Sequence, residues 1–496
     1  MPALDATESG LANLDAVPGP QSSRIVVKIP AVGVSDDPRG LPTYVTHEEL
    51  AEILRQQMMR DRRKRVGRAF KRIAMPGSGS ILLPTKSSTS TTSPPPPDTE
   101  IDRCADWKDT SAAFDDPEFP YSASASLSLP VDADALFLAT QIHVRRPRHR
   151  GGIFSSGSVD FLLSEDAGDE VKVEIDVEYW HPEHLDAAKV CLLSRTEREN
   201  DHGVGILTKW ESDKEWEHEH ERHRSAEMHF KVVVTFPASG SDAARVVKAF
   251  ATHLDIYSQT FAENMRDVHF SALALRSALA GVTAAELNAD NATISLALGN
   301  VDVQTLTAST ATLTTSLGRV MGTYNVSKAL AITSSAGSID VDVNLTTTDE
   351  VEEGTLELTT NNAHIDARVA LAGPTTFDIV ARNSNGHIAL PVSALPVDAK
   401  LTLLAQTALG AVEVGLPPTY EGTIEGRTSF ANAQLIIKDM EGVEDPKDEG
   451  RTRHARGTES RRGTMGGAVW WGEEGEGSER GSVEVTSTLA SVVVEV

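Results

Sequence analysis

The sequence predicts an all-β protein: a β-solenoid of about nine coils of roughly 20 residues, preceded by additional β-strands and, before those, by a long disordered N-terminal region. Three observations predict it. A four-column pattern of side chains recurs nine times between residues 273 and 492. Ahead of it, short segments alternate apolar and charged residues, as half-buried strands do. Ahead of those, the first 118 residues mix Pro, Gly, Ser and charge in proportions that supply no core.

In chain order, the head (residues 1–118) carries the Pro-rich tract "SSTSTTSPPPPDT" at 87–99 and two more structured islands. The first, "RIVVKIPAVGV" (24–34), is β-prone; it reads as an apolar stretch of no fixed role or as a strand added to a partner's sheet edge. The second, residues 46–75, predicts a helix: Thr46 and Glu49 make a capping box, and Leu50, Ile53, Leu54, Val66, Phe70 and Ile73 recur near helical spacing. Between Arg55 and Arg72 stand nine basic residues and one acid, Asp61. Arg60, Arg62, Arg63, Lys64, Arg65, Arg68, Lys71 and Arg72 form its basic interaction patch. The readings are nuclear import through "RRKR" (62–65), docking on anionic lipid, capture by an acidic partner, or a solvated charged helix.

Residues 119–240 read as the strand region that opens the folded domain, with "VKVEIDVEYW" (171–180) and "HFKVVVTFP" (229–237) as its clearest strands. Between them, "KWESDKEWEHEHERHR" (209–224) reads as an exposed loop. Its His218, His220 and His223 are weak metal candidates: imidazoles bind zinc, copper or nickel, but the spacing is not that of a zinc-peptidase helix, and a solvated charge run is the plainer account.

Residues 241–496 carry the repeat. With Gly318 as zero, the pattern is apolar at −7, −5 and often −1, Ser or Thr at −3, Gly or Ala at zero, and a β-branched aliphatic at +2. The zero positions are Ala280, Gly299, Gly318, Gly337, Ala363, Gly386, Gly410, Ala431 and Ala490, the first three intervals being 19 residues each. A unit of this size cannot bury its apolar face alone and must stack on copies of itself. Inward positions are odd before zero and even after it. Gly299, Gly318, Gly337, Gly386 and Gly410 are therefore predicted to be structural corners, each absorbing one step of the period-2 pattern. The polar −3 column suits a corner, where backbone groups lose their ladder partners. The long last interval holds an insertion, 441–480, read as disordered loop, after which "SVEVTSTLASVVVEV" returns to cap or extend the stack. Trp470 and Trp471 in that insertion are either partner anchors or side chains tucked against the stack.

With an alternating strand, then T/S-x-x-G, then x-V-x-V, these repeats resemble bacterial putative-adhesin repeat domains. The chain also resembles uncharacterised fungal proteins that carry a disordered Pro/Ser-rich head before such a domain. The resemblance spans about residues 119–496 and implies a right-handed β-solenoid of unknown molecular role; it brings no catalytic residues.

Forty-six basic against seventy-two acidic residues give a net charge of −26, which argues against a generally nucleic-acid-binding or anionic-membrane-binding surface and favours a soluble protein; the expected partner is an unknown protein. Aromatics are 5% of the chain, so small aliphatic layers, not a large aromatic core, are expected. Only Cys104 and Cys191 are present, which speaks against a disulfide framework and a Cys-based zinc site and for a reducing compartment. No basic-then-apolar leader and no run of 18 apolar residues is found, so no membrane span is expected, and an intracellular, cytoplasmic location is, with the nucleus as the alternative. No P-loop, dinucleotide fingerprint or nucleophile elbow occurs, and no cofactor is implied. The catalytic candidates are Asp340 and Asp366, which fall at +3 on successive coils, close enough to share a proton. Outward Asp more often serves solvation. The sequence thus favours a non-enzymatic interaction scaffold, with a β-helix enzyme acting on polysaccharide, or a surface adhesin, as alternatives.

Overall fold

The computed structural model describes residues 99–496 apart from 110–118, 144–153, 166–167, 181, 197, 210–226, 241–242, 349, 352, 375, 439–442, 460–462 and 474–479. The expectations for the 24–34 strand, the 46–75 helix with its basic patch, and His218, His220 and His223 lie outside the described residues.

All twenty-eight described strands belong to one extended hydrogen-bonded sheet. Its strands, numbered in chain order, stack in two columns. The first column runs β1 (Thr99–Cys104), β7 (Ala188–Arg195), β8 (Arg198–Lys209), β4 (Ala135–His143), β10 (Arg245–Leu254) and β12 (Val268–Ser277). It continues through the second halves of β13 (Val282–Leu296), β14 (Val301–Thr315) and β15 (Val320–Ser334) to β17 (Glu353–Thr360), β19 (Thr376–Asn383) and β21 (Lys400–Thr407). It ends with β27 (Gly481–Ser487), β23 (Gly422–Thr428), β26 (Thr464–Trp471) and β25 (Arg453–Glu459).

The second column starts with β2 (Lys108–Asp109), β3 (Tyr121–Pro130), β6 (Glu170–Tyr179), β9 (Glu227–Pro237), β5 (Phe154–Ser164) and β11 (Tyr257–Phe261). The first halves of β13 to β15 follow, then β16 (Ile339–Thr346), β18 (Ile365–Ala372), β20 (Ile388–Ala394), β22 (Val412–Gly415), β28 (Val492–Glu495) and β24 (Ala433–Ile436). Inward side chains of both columns form one core.

The repeat columns predicted from sequence line up in this register. Val282, Val301, Val320, Ile339, Ile365, Ile388 and Val412 pair in turn, all at +2 and all fully buried. The −3 hydroxyls bridge coils: Thr315 Oγ1 donates to the Gly299 carbonyl (3.1 Å) and accepts the Gly318 N–H (3.0 Å). Thr407 repeats both bonds with Gly386 and Gly410, and Ser487 with Gly410 and Ala490. At Gly318, a Cβ would sit 1.7 Å from the Gly299 carbonyl oxygen, so close backbone approach, not left-handed φ, selects glycine there.

Five expectations are corrected. The −1 side chains point outward: Leu317 is 52% exposed, because the chain has already turned at −2, where Ser316 N–H bonds the Ala297 carbonyl. Among the described residues, strands are already present from Thr99, ahead of 119, and parallel pairing is already made by β4, β5, β8 and β9, ahead of 241. Phenylalanines do build part of the core, Phe161, Phe236, Phe250, Phe261 and Phe270 packing ring against ring. Cys104 and Cys191, directly opposite on β1 and β7, form a disulfide, although the presence of only two cysteines spoke against a disulfide framework.

The fifth correction concerns the C-terminus. The insertion folds: β25 and β26 form an antiparallel hairpin on the free edge of β23. The final segment does return, but β27 and β28 enter between β21/β22 and β23/β24, so neither caps nor extends the stack. Ion pairs hold the insertion to the bends before β21 and β23. Arg480 reaches Asp398 (2.9 Å) and Glu421 (2.7 Å), and Lys447 reaches Asp398 (2.7 Å). Arg451, hydrogen-bonded to Asp445, holds that carboxyl well below the usual range, with three backbone N–H groups assisting. Trp471 is buried at the end of β26, and Trp470 stacks on His454.

Candidate functional site

Two outward surfaces flank the corners, one on each column. On the second column, Asp340 (β16) and Asp366 (β18) are register partners, as predicted. The expectation stopped at the +3 column and missed the residues that surround Asp340, which come from +1. Arg319 Nε donates to Asp340 Oδ2 (2.8 Å), Ser338 Oγ donates to the same oxygen (2.7 Å), and His364 Nε2 bonds Oδ1 (2.8 Å). Partial burial tends to raise the Asp340 carboxyl, but the hydrogen bonds of Ser338, His364 and Arg319 outweigh it and hold it below its ordinary range. An ionised carboxylate only accepts, so His364 carries its proton on Nε2. His364 in turn stacks on His387, the next +1 residue, with ring centroids 5.0 Å apart and planes within 5°. Arg368 pairs with Asp342 two residues further along the same strands (3.1 Å). Reading +1 alone, as Arg319, Ser338, His364 and His387, would have revealed the cluster.

On the first column, a shallow open trough of about 360 Å³ crosses β17, β19, β21 and the corner after β27. Thr360, Asn383 and Thr407, the −3 ladder, form its floor, and Thr359, Asn361, Arg382, Ser384, Gln406 and Thr488 line it. Its one charged group, Arg382, is 3.8 Å from Glu357. Neither Asp340 nor Asp366 lines it, so the residues picked from sequence and the concavity are not brought together.

Among the described residues no group of three His, Cys, Asp or Glu is placed to hold a metal ion, and no helix is long and apolar enough to cross a membrane. Of the sequence candidates, Gly299, Gly318, Gly337, Gly386 and Gly410 sit at corners with backbone oxygens 1.7 to 2.0 Å from where a Cβ would stand.

Residues 310–441 match a family model described as "Domain of unknown function (DUF7330)", which covers little more than a quarter of the chain but includes the Asp340 cluster and most of the trough. No curated protein matches. Two solved structures do. One is a "putative cell adhesion protein" from Clostridium sporogenes ATCC 15579, 8% identical over 75% of this chain and 99% of that one, with a TM-score of 0.14. The other is a "putative adhesin" from Parabacteroides merdae ATCC 43184, 12% identical over 59% of this chain and 95% of that one, with a TM-score of 0.19. At such scores neither match carries an argument about what this chain does.

Proposed function

We propose that the chain is a non-enzymatic binding scaffold, its repeat units winding as a right-handed β-solenoid that offers its outer faces to partners. The observation that carries this reading is the separation of chemistry from concavity. The trough holds hydroxyls, amides and one guanidinium, whereas the titratable cluster stands on the other column with its central carboxylate engaged by three donors. Acid–base catalysis needs a free acid and base converging where substrate sits. The test is to incubate the full chain with polysaccharides and measure new reducing ends. No release is expected; release that disappears in Asp340→Asn and Asp366→Asn would establish the β-helix enzyme instead.

The basic residues 60–72 provide a second point of attachment in this reading. A surface adhesin is the second reading, and the Cys104–Cys191 disulfide is what favours it, since such bonds persist in oxidising compartments. Recovery of the protein from culture medium or wall extract supports that location; recovery only from cytosol supports the intracellular one.

A further inference from the structure

We infer that the trough beside the corners is a binding site for a neutral oligosaccharide lying along the stack, which names the ligand class for the scaffold reading and rests on it. Its polar groups are available: the side chains of Asn361, Ser384, Gln406 and Thr488 make no hydrogen bond to other described residues. Asn361, Ser384 and Thr488 stand at the same −2 position of their coils, successive strands being about 4.8 Å apart; on the β21 coil that position is Ala408, and Gln406 stands two residues earlier, beside Arg382. A ligand running across the strands therefore meets a fresh donor or acceptor at every coil.

The backbone narrows the ligand further. Main-chain groups along the trough are already used between coils: Asn385 N–H bonds the Asn361 carbonyl, Ala408 and Leu409 N–H bond that of Ser384, and Leu489 N–H bonds that of Ala408. A peptide strand, which binds by main-chain pairing, finds little to pair with. The single guanidinium faces Glu357, so the lining has no surplus charge to attract a polyanion.

An apolar ridge completes the site. Past the trough, consecutive corners in the stack present Leu409, Leu489 and Phe430 at −1, exposed by 48%, 49% and 77%. Large apolar side chains left exposed in a row mark contact surfaces. A neutral sugar chain has the matching character, with hydroxyls at its ring edges for Asn361, Ser384 and Gln406, and C–H faces for Phe430 and the leucines.

The test titrates the full chain against fluorescently labelled cellohexaose, laminarihexaose, chitohexaose and mannohexaose, with an acidic hexasaccharide and a neutral extended peptide beside them. Saturable binding of at least one neutral sugar is expected, little changed by added salt. It should weaken tenfold or more in Asn361→Ala/Gln406→Ala and several-fold in Phe430→Ser, all with the wild-type unfolding midpoint. Ser384→Arg, which fills the trough, should abolish it. No binding of any neutral sugar, binding indifferent to these variants, or preference for the acidic sugar or the peptide overturns the inference. The same samples are checked for shortened sugars: cleavage overturns the scaffold reading itself, whereas an intact sugar that does not bind overturns only the ligand class.

Discussion

The middle of the stack and its C-terminal end are made from the same repeat yet assembled by different rules. From Val282 to Thr407 each unit pairs with the next in sequence and in parallel, and the corner columns stay aligned across the two compensating register shifts between β14 and β15. From Val412 onward sequence order and spatial order part: the last unit enters between two earlier ones, and an antiparallel hairpin covers the first column's outer edge. A parallel stack has no natural end, because its last strand presents a row of open N–H and C=O groups. The N-terminal end is managed the same way, by antiparallel β3, β6 and β7 and by the disulfide that ties β1 to β7. What the comparison teaches is that coils repeat and ends must be individually built.

The sharpest way to break this contrast is to remove residues 481–496. A terminal cap could be lost with the rest intact; an intercalated unit cannot. β27 and β28 bury Val483, Val485, Val492 and Val494, worth roughly 6–12 kcal/mol together at 1.5–3 kcal/mol each. That is comparable to the whole net stability of a domain, about 5–15 kcal/mol. Truncation should therefore unfold the C-terminal end, seen as lost hydrogen-exchange protection in β21 through β26. Protection retained in β23 and β26 would mean they do not depend on β27.

Next in size are corner substitutions in the middle. Gly318→Val puts a side chain where the Gly299 carbonyl stands and should cost about 1–3 kcal/mol by chemical denaturation. Thr315→Val, isosteric, strands the Gly318 N–H and should cost about 1–3 kcal/mol as well. Ala431→Val, at the last corner in the stack, should cost less, since only one neighbouring coil constrains it. Equal costs at Gly318 and Ala431 would erase the distinction between middle and end.

These corners were legible because a period reveals itself by repetition: nine Gly/Ala corners, seven of them with a Ser or Thr three residues before, outweigh drift in spacing. The ends were not legible for the complementary reason, since each occurs once. Cys104 and Cys191 are 87 residues apart, and "RHARGTE" pairing with "TMGGAVWW" carries no strong alternation. Leu317 misled because an apolar residue in phase with a strand looks inward until the turn at −2 is known. The adjacency of Asp340 and Asp366 followed from the repeat; Arg319 and His364 did not, because the corner places +1 beside +3 of the neighbouring coil.

The hairpin end offers a gain instead of a loss. Arg453 on β25 is 7% exposed, and its Nε and Nη2, the side-on fork that suits a carboxylate, have no hydrogen-bond partner among the described residues. Burial pushes its pKa down, the signature of a charge the fold tolerates without pairing. Arg453→Met should raise stability by about 1–3 kcal/mol, read as a higher unfolding midpoint. A lower midpoint would show that the guanidinium holds the cap together.

The smallest effect belongs to the middle and separates its electrostatics from its packing. Asp340 has a folded pKa held below that of an unfolded aspartate, near 3.9, so its contribution is complete above that value and is lost as pH falls through the folded one. Because the cluster stands at the surface, that contribution is about 0.5–1 kcal/mol after screening. Asp340→Asn should therefore be slightly less stable than wild type at pH 7, with the gap narrowing as pH falls below the ordinary aspartate value and in high salt. A gap that survives acid and salt unchanged would mean that Asp340 acts through shape, as the corner glycines do, and that the ordered row of Arg319, His364 and His387 is held by the coils and not by its charge.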